Sequence, residues 1–400
     1  MGSTNFDGTS ESFLRWFKSL PGATFSDAIK IVDLRDRNAG RGIIALEDIP
    51  AETTLFTIPR KGIINVETSE LPKKIPDAFD LDKPDDDDAP GLDSWSSLIL
   101  IMIYEYLQGE NSKWKPYFDV LPSSFDTPMF WSDNELDQLQ ASHMRHKIGK
   151  ADAENMFQKT LLPIIRSNAE IFNAGNKTDA ELIEIAHRMG STIMARAKRF
   201  STTMALTPNS ELLRRYGYVT EKHSRYDVVE IPWDIVESAL TSNFGIPGQV
   251  LEQIRGALEE DEEFEDTFVL ERETGEVNSD GTFAEPARFE SMPEDLQEQL
   301  KTFLKGIKKA QPDAIPDKRK RDEIHQAVLA KTLEALVTRY PTSISEDENL
   351  LKQDLNQRTR MAIAVRLGEK KLLQEAITAS SGDVEMTMDD ESGPAKRTRR

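Results

Sequence analysis

Residues 37–59 read RNAGRGIIALEDIPAETTLFTIP, and the two glycines flanking Arg41 decide how the rest of the chain is read. Three β-type pieces surround them: IKIVDL at 29–34, RGIIALEDI at 41–49 and TTLFTIP at 53–59, short enough to be strands joined by tight turns. Gly40 and Gly42 carry no Cβ, so the turn between the first two strands can bring its backbone amides and carbonyls close to a ligand. A tight hairpin also asks for glycine, so by itself the Gly-Arg-Gly turn leaves the ligand-holding and structural readings both open.

Outward from this β region the pattern changes. A short apolar helix, SFLRWFKSL (12–20), precedes it. Downstream, after the acidic loop DKPDDDDAPG (82–91), Leu98, Ile99, Met102 and Tyr106 recur at helical spacing and mark a buried helix. Residues 151–195 read mostly as helix, and YDVVEIPWDIV (226–236) is a second β-leaning stretch. Beyond about residue 245 the helical period returns, carried by Leu296, Leu300, Phe303, Leu304 and Ile307 and then by Ile324, Val328, Leu329 and Leu336. The turn-rich acidic stretch EEDEEFEDTFVLERETGEVNSDGTFAEP (259–286) interrupts these helices with room for a short hairpin. The last twenty or so residues are polar, uneven in charge and aperiodic, and read as a disordered tail.

Composition sets further bounds. The 400-residue chain is 38% hydrophobic and 30% charged, enough for two or three domains with sizeable cores. It has no cysteine, which excludes a disulfide framework and a thiolate zinc site. No run of 18 apolar residues is present, so neither a membrane span nor a membrane partner is expected. The net charge of −20 repels a phosphate backbone, argues against direct nucleic-acid binding and favours basic protein partners, although a solvated surface explains it equally well. His143 and His146 form an HxxH without a third ligand, so they read as exposed helix residues; His187 reads as structural, and no metal is expected.

Taken in order, GRGI (40–43), DSWSSLILIMIYEYLQG (93–109), SKWKPYFDVLP (112–122), MFWSDNEL (129–136) and LLRRYGYV (212–219) resemble the SET-domain lysine methyltransferases of the Rubisco large-subunit methyltransferase class. ALVTRYPTSISEDENLL (335–351) and MAIAVRLGEKKLLQEAI (361–377) resemble the helical substrate-binding domain of that class, with the fungal ribosomal lysine methyltransferase 4 type nearest. The resemblance implies an α+β protein. A β-rich SET domain would span 10–240 with a helical insert at about 95–195, an all-α substrate-binding domain 245–378, and the tail 379–400. It also implies S-adenosyl-L-methionine as cofactor and methyl transfer to a protein lysine, with a basic ribosomal or nuclear protein as substrate. The nucleus is the expected location, with the cytoplasm also open. By the same resemblance the backbone of Ala39, Gly40, Arg41 and Gly42 would hold the cofactor and Tyr218 would pack on its adenine side. Trp95 would contact the substrate, and Tyr216 would either line the lysine channel or sit in the core. Core packing is the competing reading for Trp95 and Tyr218 as well.

One junction departs from the pattern. In the class, MGSTIMA (here 189–195) is followed by a stretch ending in Asn-His, further strands, and an Asn-Asp-Tyr-Gly motif before LLRRYGYV. Here RAKRFSTTMALTPNSE (196–211) stands in that place, several tens of residues too short, so the catalytic Asn-His and tyrosine cannot be assigned. A coding strand AAA GAG ATT TTC AAC GAC TAT GGC CCT spells KEIFNDYGP; read one nucleotide later it spells KRFSTTMA, which is Lys198 to Ala205. The expected reading is therefore a skipped segment and a shifted frame near 196–206, with a divergent loop as the alternative. Loss of core strands would leave open sheet edges and unfilled apolar surface, and the chain could then be a catalytically inactive protein-binding remnant.

Overall fold

The computed structural model describes residues 6–35, 40–80, 92–197, 207–260, 264–275, 278 and 283–389. Two compact units result, the first made of 1–125 and 149–200, the second of 126–148 and 201–400. Residues 126–148 and 201–240, placed by motif with the SET domain, thus belong to the same unit as the C-terminal helices.

In the first unit the helix Phe6–Ser19 leads into four short strands: β1 (Thr24–Phe25), β2 (Ile29–Asp33), β3 (Arg41–Ala45) and β4 (Phe56–Thr57). β2 and β3 form an antiparallel hairpin with Ile29 opposite Ala45 and Asp33 opposite Arg41, while β1 pairs with β4. Among the described residues each of these sheets has two strands. The helix Ser94–Leu107 begins at Asp93, whose carboxylate accepts from the Ser96 amide at 2.6 Å, satisfying one of the helix's orphan donors. Its Ile99 through Tyr104 are all buried, so it is enclosed on every side as its apolar sequence demands. Trp114, Phe118, Phe157, Phe172 and Met189 complete that core.

In the second unit β5 (Val229–Pro232) pairs antiparallel with β6 (Thr267–Leu270). The expected hairpin within 259–286 is replaced by this longer-range pairing, and the C-terminal part is helical apart from β6. Glu273 and Arg288 exchange backbone bonds at 2.9 and 3.1 Å and close the loop that follows. The core is built from the helices Trp233–Phe244, Glu294–Ala310 and Lys318–Thr338. Trp233 packs against Phe303 with ring centroids 4.6 Å apart and the planes tilted by 58°, and every residue of the two periodic sets read from sequence is buried. Burial of side chains of this size contributes about 1.5–3 kcal/mol each.

The final helix, Gln357–Asp389, runs through residues 379–389, which the sequence placed in a disordered tail. Once the well-packed turns from Met361 to Ala376 have nucleated the helix, each further residue adds one hydrogen bond, and no proline intervenes before residue 394. Residues 390–400 lie outside the described residues. Among the described residues no helix is long and apolar enough to cross a membrane.

Candidate active site

The glycine turn is the loop of the β2–β3 hairpin. The Leu34 amide donates to the Gly40 carbonyl at 2.7 Å; Ala39 lies outside the described residues. The two glycines are needed for different reasons. Gly40 has φ +65°, the left-handed region that side chains avoid, and a Cβ there would meet no atom within 4 Å, so the space beside it is open. Gly42 has ordinary backbone, but a Cβ would overlap the Leu34 side chain. At Gly40 the space on the Cβ side is open, whereas at Gly42 the Leu34 side chain occupies that side. Arg41 directs its side chain into the start of the Phe6–Ser19 helix, where Nε donates to Ser10 Oγ at 2.9 Å. Burial holds its guanidinium below the usual arginine range, with the nearby Arg35 charge acting in the same direction.

Trp95 sits in the first turn of the Ser94–Leu107 helix and is 36% exposed, whereas Trp114 in the same unit is 1% exposed. The core reading of Trp95 therefore does not describe its environment. Its ring edge lies over Gly190, where a Cβ would stand 3.8 Å from Cζ2.

Tyr216 and Tyr218 belong to the second unit. The helix Asn209–Tyr216 ends on Gly217, φ +73°, whose amide donates to Leu213 O at 3.0 Å, a left-handed cap that turns the chain between the tyrosines. Their rings are 6.2 Å apart, tilted by 36°, and both residues are half-buried. A Cβ on Gly217 would lie 2.8 Å from the Asp126 carbonyl carbon and the Thr127 nitrogen, so glycine also permits this close backbone packing.

The histidines behave differently from one another. His187 is buried, edge-on to Phe157 at 4.9 Å and 3.5 Å from Glu154. His143 is not the exposed residue its HxxH spacing suggested: it lies between Glu369 at 3.5 Å and Glu230 at 3.8 Å, and burial lowers its pKa. Its short turn, His143–Lys147, has Met144 in the core, which carries the neighbouring imidazole inward. Among the described residues no group of three or more metal-ligating side chains could hold an ion.

Around His143 lies a buried polar cluster that sequence reasoning missed. Glu369 accepts from Ser142 Oγ at 2.7 Å and from the Tyr340 hydroxyl at 2.8 Å, and burial pushes its carboxyl up to about 8. Burial likewise pushes Asp227 up to about 7, opposed by a hydrogen bond from the Asn209 amide. On the helix Ile344–Leu350, Asp347 accepts from Arg366 at 2.6 and 2.9 Å and from Lys370 at 2.5 Å. The one available signal was the spacing of Arg366, Glu369 and Lys370, which alternate with buried Val365, Leu367 and Leu372 on a helix that has almost no polar face there.

The first unit also contains a largely apolar cavity of about 650 Å³, lined by residues that include Phe13, Trp16 and Phe17 of the first helix, Ile31 of β2, Ile43 of β3 and Met102. Ile43, Leu46, Ile58 and Ile63 are between 47% and 57% exposed. Lys198–Ala205, on which the shifted-frame reading rests, lies outside the described residues.

A β region with a glycine turn, a buried helical insert and a C-terminal helical domain is the arrangement that the resemblance to SET-domain methyltransferases of the Rubisco large-subunit class implied, and comparison with known proteins finds the same likeness. Residues 250–373 match the family model described as Rubisco LSMT substrate-binding. The chain superposes on Rubisco LSMT bound to sinefungin and monomethyllysine with TM-score 0.65 at 19% identity, covering 96% of this chain and 93% of that one. The SET domain of LSMT bound to lysine and AdoHcy gives TM-score 0.63 at 18% identity, covering 97% and 94%. Among individual proteins, the chain is similar to ribosomal lysine N-methyltransferase 4 of Saccharomyces cerevisiae, 28% identical over 308 residues, covering 60% of this chain and 61% of the relative. It is 24% identical to the chloroplastic Rubisco large-subunit N-methyltransferase of Nicotiana tabacum, covering 84% and 75%, and 23% identical to the actin-histidine N-methyltransferase of Plecturocebus moloch, covering 96% and 71%. The 308 positions aligned with the yeast relative exceed what 60% of a 400-residue chain can supply, so several tens of them have no counterpart here.

Proposed function

We propose that this protein is an S-adenosylmethionine-dependent protein-lysine N-methyltransferase acting on a basic ribosomal or nuclear protein. The observation that carries this reading is the whole-chain likeness to the Rubisco LSMT fold, joined to the substrate-binding family match over 250–373. The chemistry of the glycine turn fits a cofactor: Gly40 presents backbone to open space, as a site that contacts a ligand through its main chain requires. Ala39 to Gly42 would hold S-adenosylmethionine and Tyr218 would pack against its adenine side; when bound, the cofactor supplies an electrophilic methyl group. The chain's own task is to present a neutral lysine amine, whose ordinary pKa is about 10.4, in an apolar channel that excludes water. The half-exposed Trp95 and half-buried Tyr216 are the aromatic side chains we assign to that substrate. No residue of this chain is assigned to proton removal.

The net charge of −20 suits a basic acceptor protein, and the yeast relative is named for a ribosomal one. A nuclear location is part of the reading. Lys318, Arg319 and Lys320 are exposed at the start of the Lys318–Thr338 helix and offer a basic patch to an import receptor, as would AKRTRR at 395–400. A fluorescent fusion lacking both clusters should lose nuclear accumulation.

A second reading, a binding module without catalysis, is favoured by the two-stranded sheets and the uncovered apolar cavity. Calorimetric titration with S-adenosylmethionine, followed by amino-acid analysis of acceptor protein labelled by the form that carries the full segment in place of Lys198–Ala205, separates the readings. Methyl-lysine supports the first, methyl-histidine would replace the acceptor, and absence of cofactor binding would leave the module.

A further inference from the structure

The two limbs of the glycine turn are pinned to one aromatic ring. Arg35, just after β2, places its guanidinium carbon 4.3 Å from the centroid of Phe6, and Arg41, the first residue of β3, places its own 3.9 Å from the same centroid. Arg35 is held by Asp33, which receives its Nε and Nη2 at 3.0 and 2.6 Å. Arg41 reaches further, donating from Nε to Ser10 Oγ at 2.9 Å, from Nη2 to Thr9 Oγ1 at 2.6 Å and Phe6 O at 3.3 Å, and from Nη1 to Val120 O at 3.2 Å. Thr9 and Ser10 in turn donate to the Phe6 carbonyl at 3.0 and 2.8 Å, so hydroxyls, carbonyl and guanidinium form one closed network.

Every acceptor of Arg41 in this network is neutral. The guanidinium is therefore not neutralised by a carboxylate at hydrogen-bond distance, and its geometry, a rigid fork engaged by four acceptors, is what the network uses. Lysine, a point charge on a flexible stem, cannot bridge acceptors contributed by both the first helix and Val120. The strand alternation places Arg41 and Gly42 on opposite faces, so the side chain that anchors the strand and the glycine packed on Leu34 act from either side of the same backbone.

We propose that the Arg41 side chain is the positioning residue of the glycine turn: clamped on Phe6 and the first helix, it holds the Gly40–Gly42 backbone in its ligand-ready conformation before any ligand arrives. The inference rests on the reading of that turn as the cofactor site. A loop ordered in advance does not lose conformational freedom on binding, so the clamp acts on affinity and not on chemistry. Phe6 takes part as the surface on which both arginines stack.

The test uses the 400-residue chain with Arg41→Lys, Arg41→Met and Phe6→Leu. Hydrogen exchange is read on peptides covering residues 40–45 and 99–104, together with S-adenosylmethionine affinity. Loss of charge-assisted bonds predicts at least about tenfold faster exchange at 40–45 in both Arg41 variants and an intermediate effect in Phe6→Leu, with 99–104 unchanged, and about tenfold weaker cofactor binding. Full rescue by Arg41→Lys would show that charge alone suffices and would overturn the proposal, as would uniform acceleration in both peptides. If the unmutated chain binds no cofactor, the methyltransferase reading fails for this chain, and exchange at 40–45 still decides whether Arg41 fixes the turn.

Discussion

Gly42 is packed against Leu34 so closely that a Cβ at position 42 would overlap the leucine side chain. Leu34 thus packs over position 42, for which the sequence alone left the ligand-holding and hairpin readings both open. Gly42→Val should displace Leu34 and destabilise the first unit by about 1–3 kcal/mol, the usual cost of overpacking. Thermal melting checks this, and paired Gly42→Val/Leu34→Ala should recover most of the loss. An unaltered melting temperature in Gly42→Val would mean that Leu34 yields freely.

At Gly217 two penalties coincide, the left-handed φ of +73° and the 2.8 Å approach to the Asp126–Thr127 backbone. Gly217→Ala should cost at least about 2 kcal/mol, because backbone cannot step aside as a side chain can. Because Tyr216 and Tyr218 flank this cap, their tyrosine fluorescence should change with it. Urea denaturation gives the stability, and a midpoint equal to that of the unmutated chain would contradict the packing described here.

The buried carboxyls give the second unit a pH dependence of definite sign. Glu369 and Asp227 are raised to about 8 and about 7 by burial, far above their unfolded values, so the folded chain holds protons that the unfolded chain releases. Their contribution is full below the unfolded pKa of about 4 and is lost as pH rises toward the folded values, at about 1.4 kcal/mol per pH unit per group. His143, lowered by burial, works the other way below its ordinary value of about 6.5. The decline is therefore cleanest between about pH 6.5 and 8, where about 1–3 kcal/mol should disappear. Glu369→Gln, which cannot ionise, should flatten the curve in melting experiments across that range, and an equally steep curve would remove Glu369 from the account.

Much of the scaffold was legible because it rests on local pattern. The helical spacing of Leu98, Ile99, Met102 and Tyr106 gave the buried helix Ser94–Leu107, and the spacing of Leu296, Leu300, Phe303 and Ile307 gave the buried face of Glu294–Ala310 directly. The glycines at 40 and 42 announced a hairpin, although why each must be glycine depends on φ at one and on Leu34 at the other. The pairing of β5 with β6 was hidden because its register joins residues nearly forty positions apart, and no turn chemistry signals it. Asp227 and Glu369 were hidden because a buried carboxyl and a surface one are written with the same letter; only the packing of Ser142, Tyr340 and the Asn209 amide around them sets them apart.

The central proposal is that this is a protein-lysine methyltransferase and that the junction at 196–206 lacks a segment its activity needs. Methyl transfer needs donor carbon and acceptor amine aligned within about 3–3.5 Å, and on this proposal the segment that would fix that geometry is the one the shortened junction lacks. The most direct measurement is transfer of labelled methyl from S-adenosylmethionine to lysine in a ribosomal protein extract. It compares the 400-residue chain with a form in which Lys198–Ala205 is replaced by the transcript's full segment in the other frame. The account predicts lysine labelling by the longer form and none above background by the shorter; equal labelling by both, or none by the longer form, would contradict it.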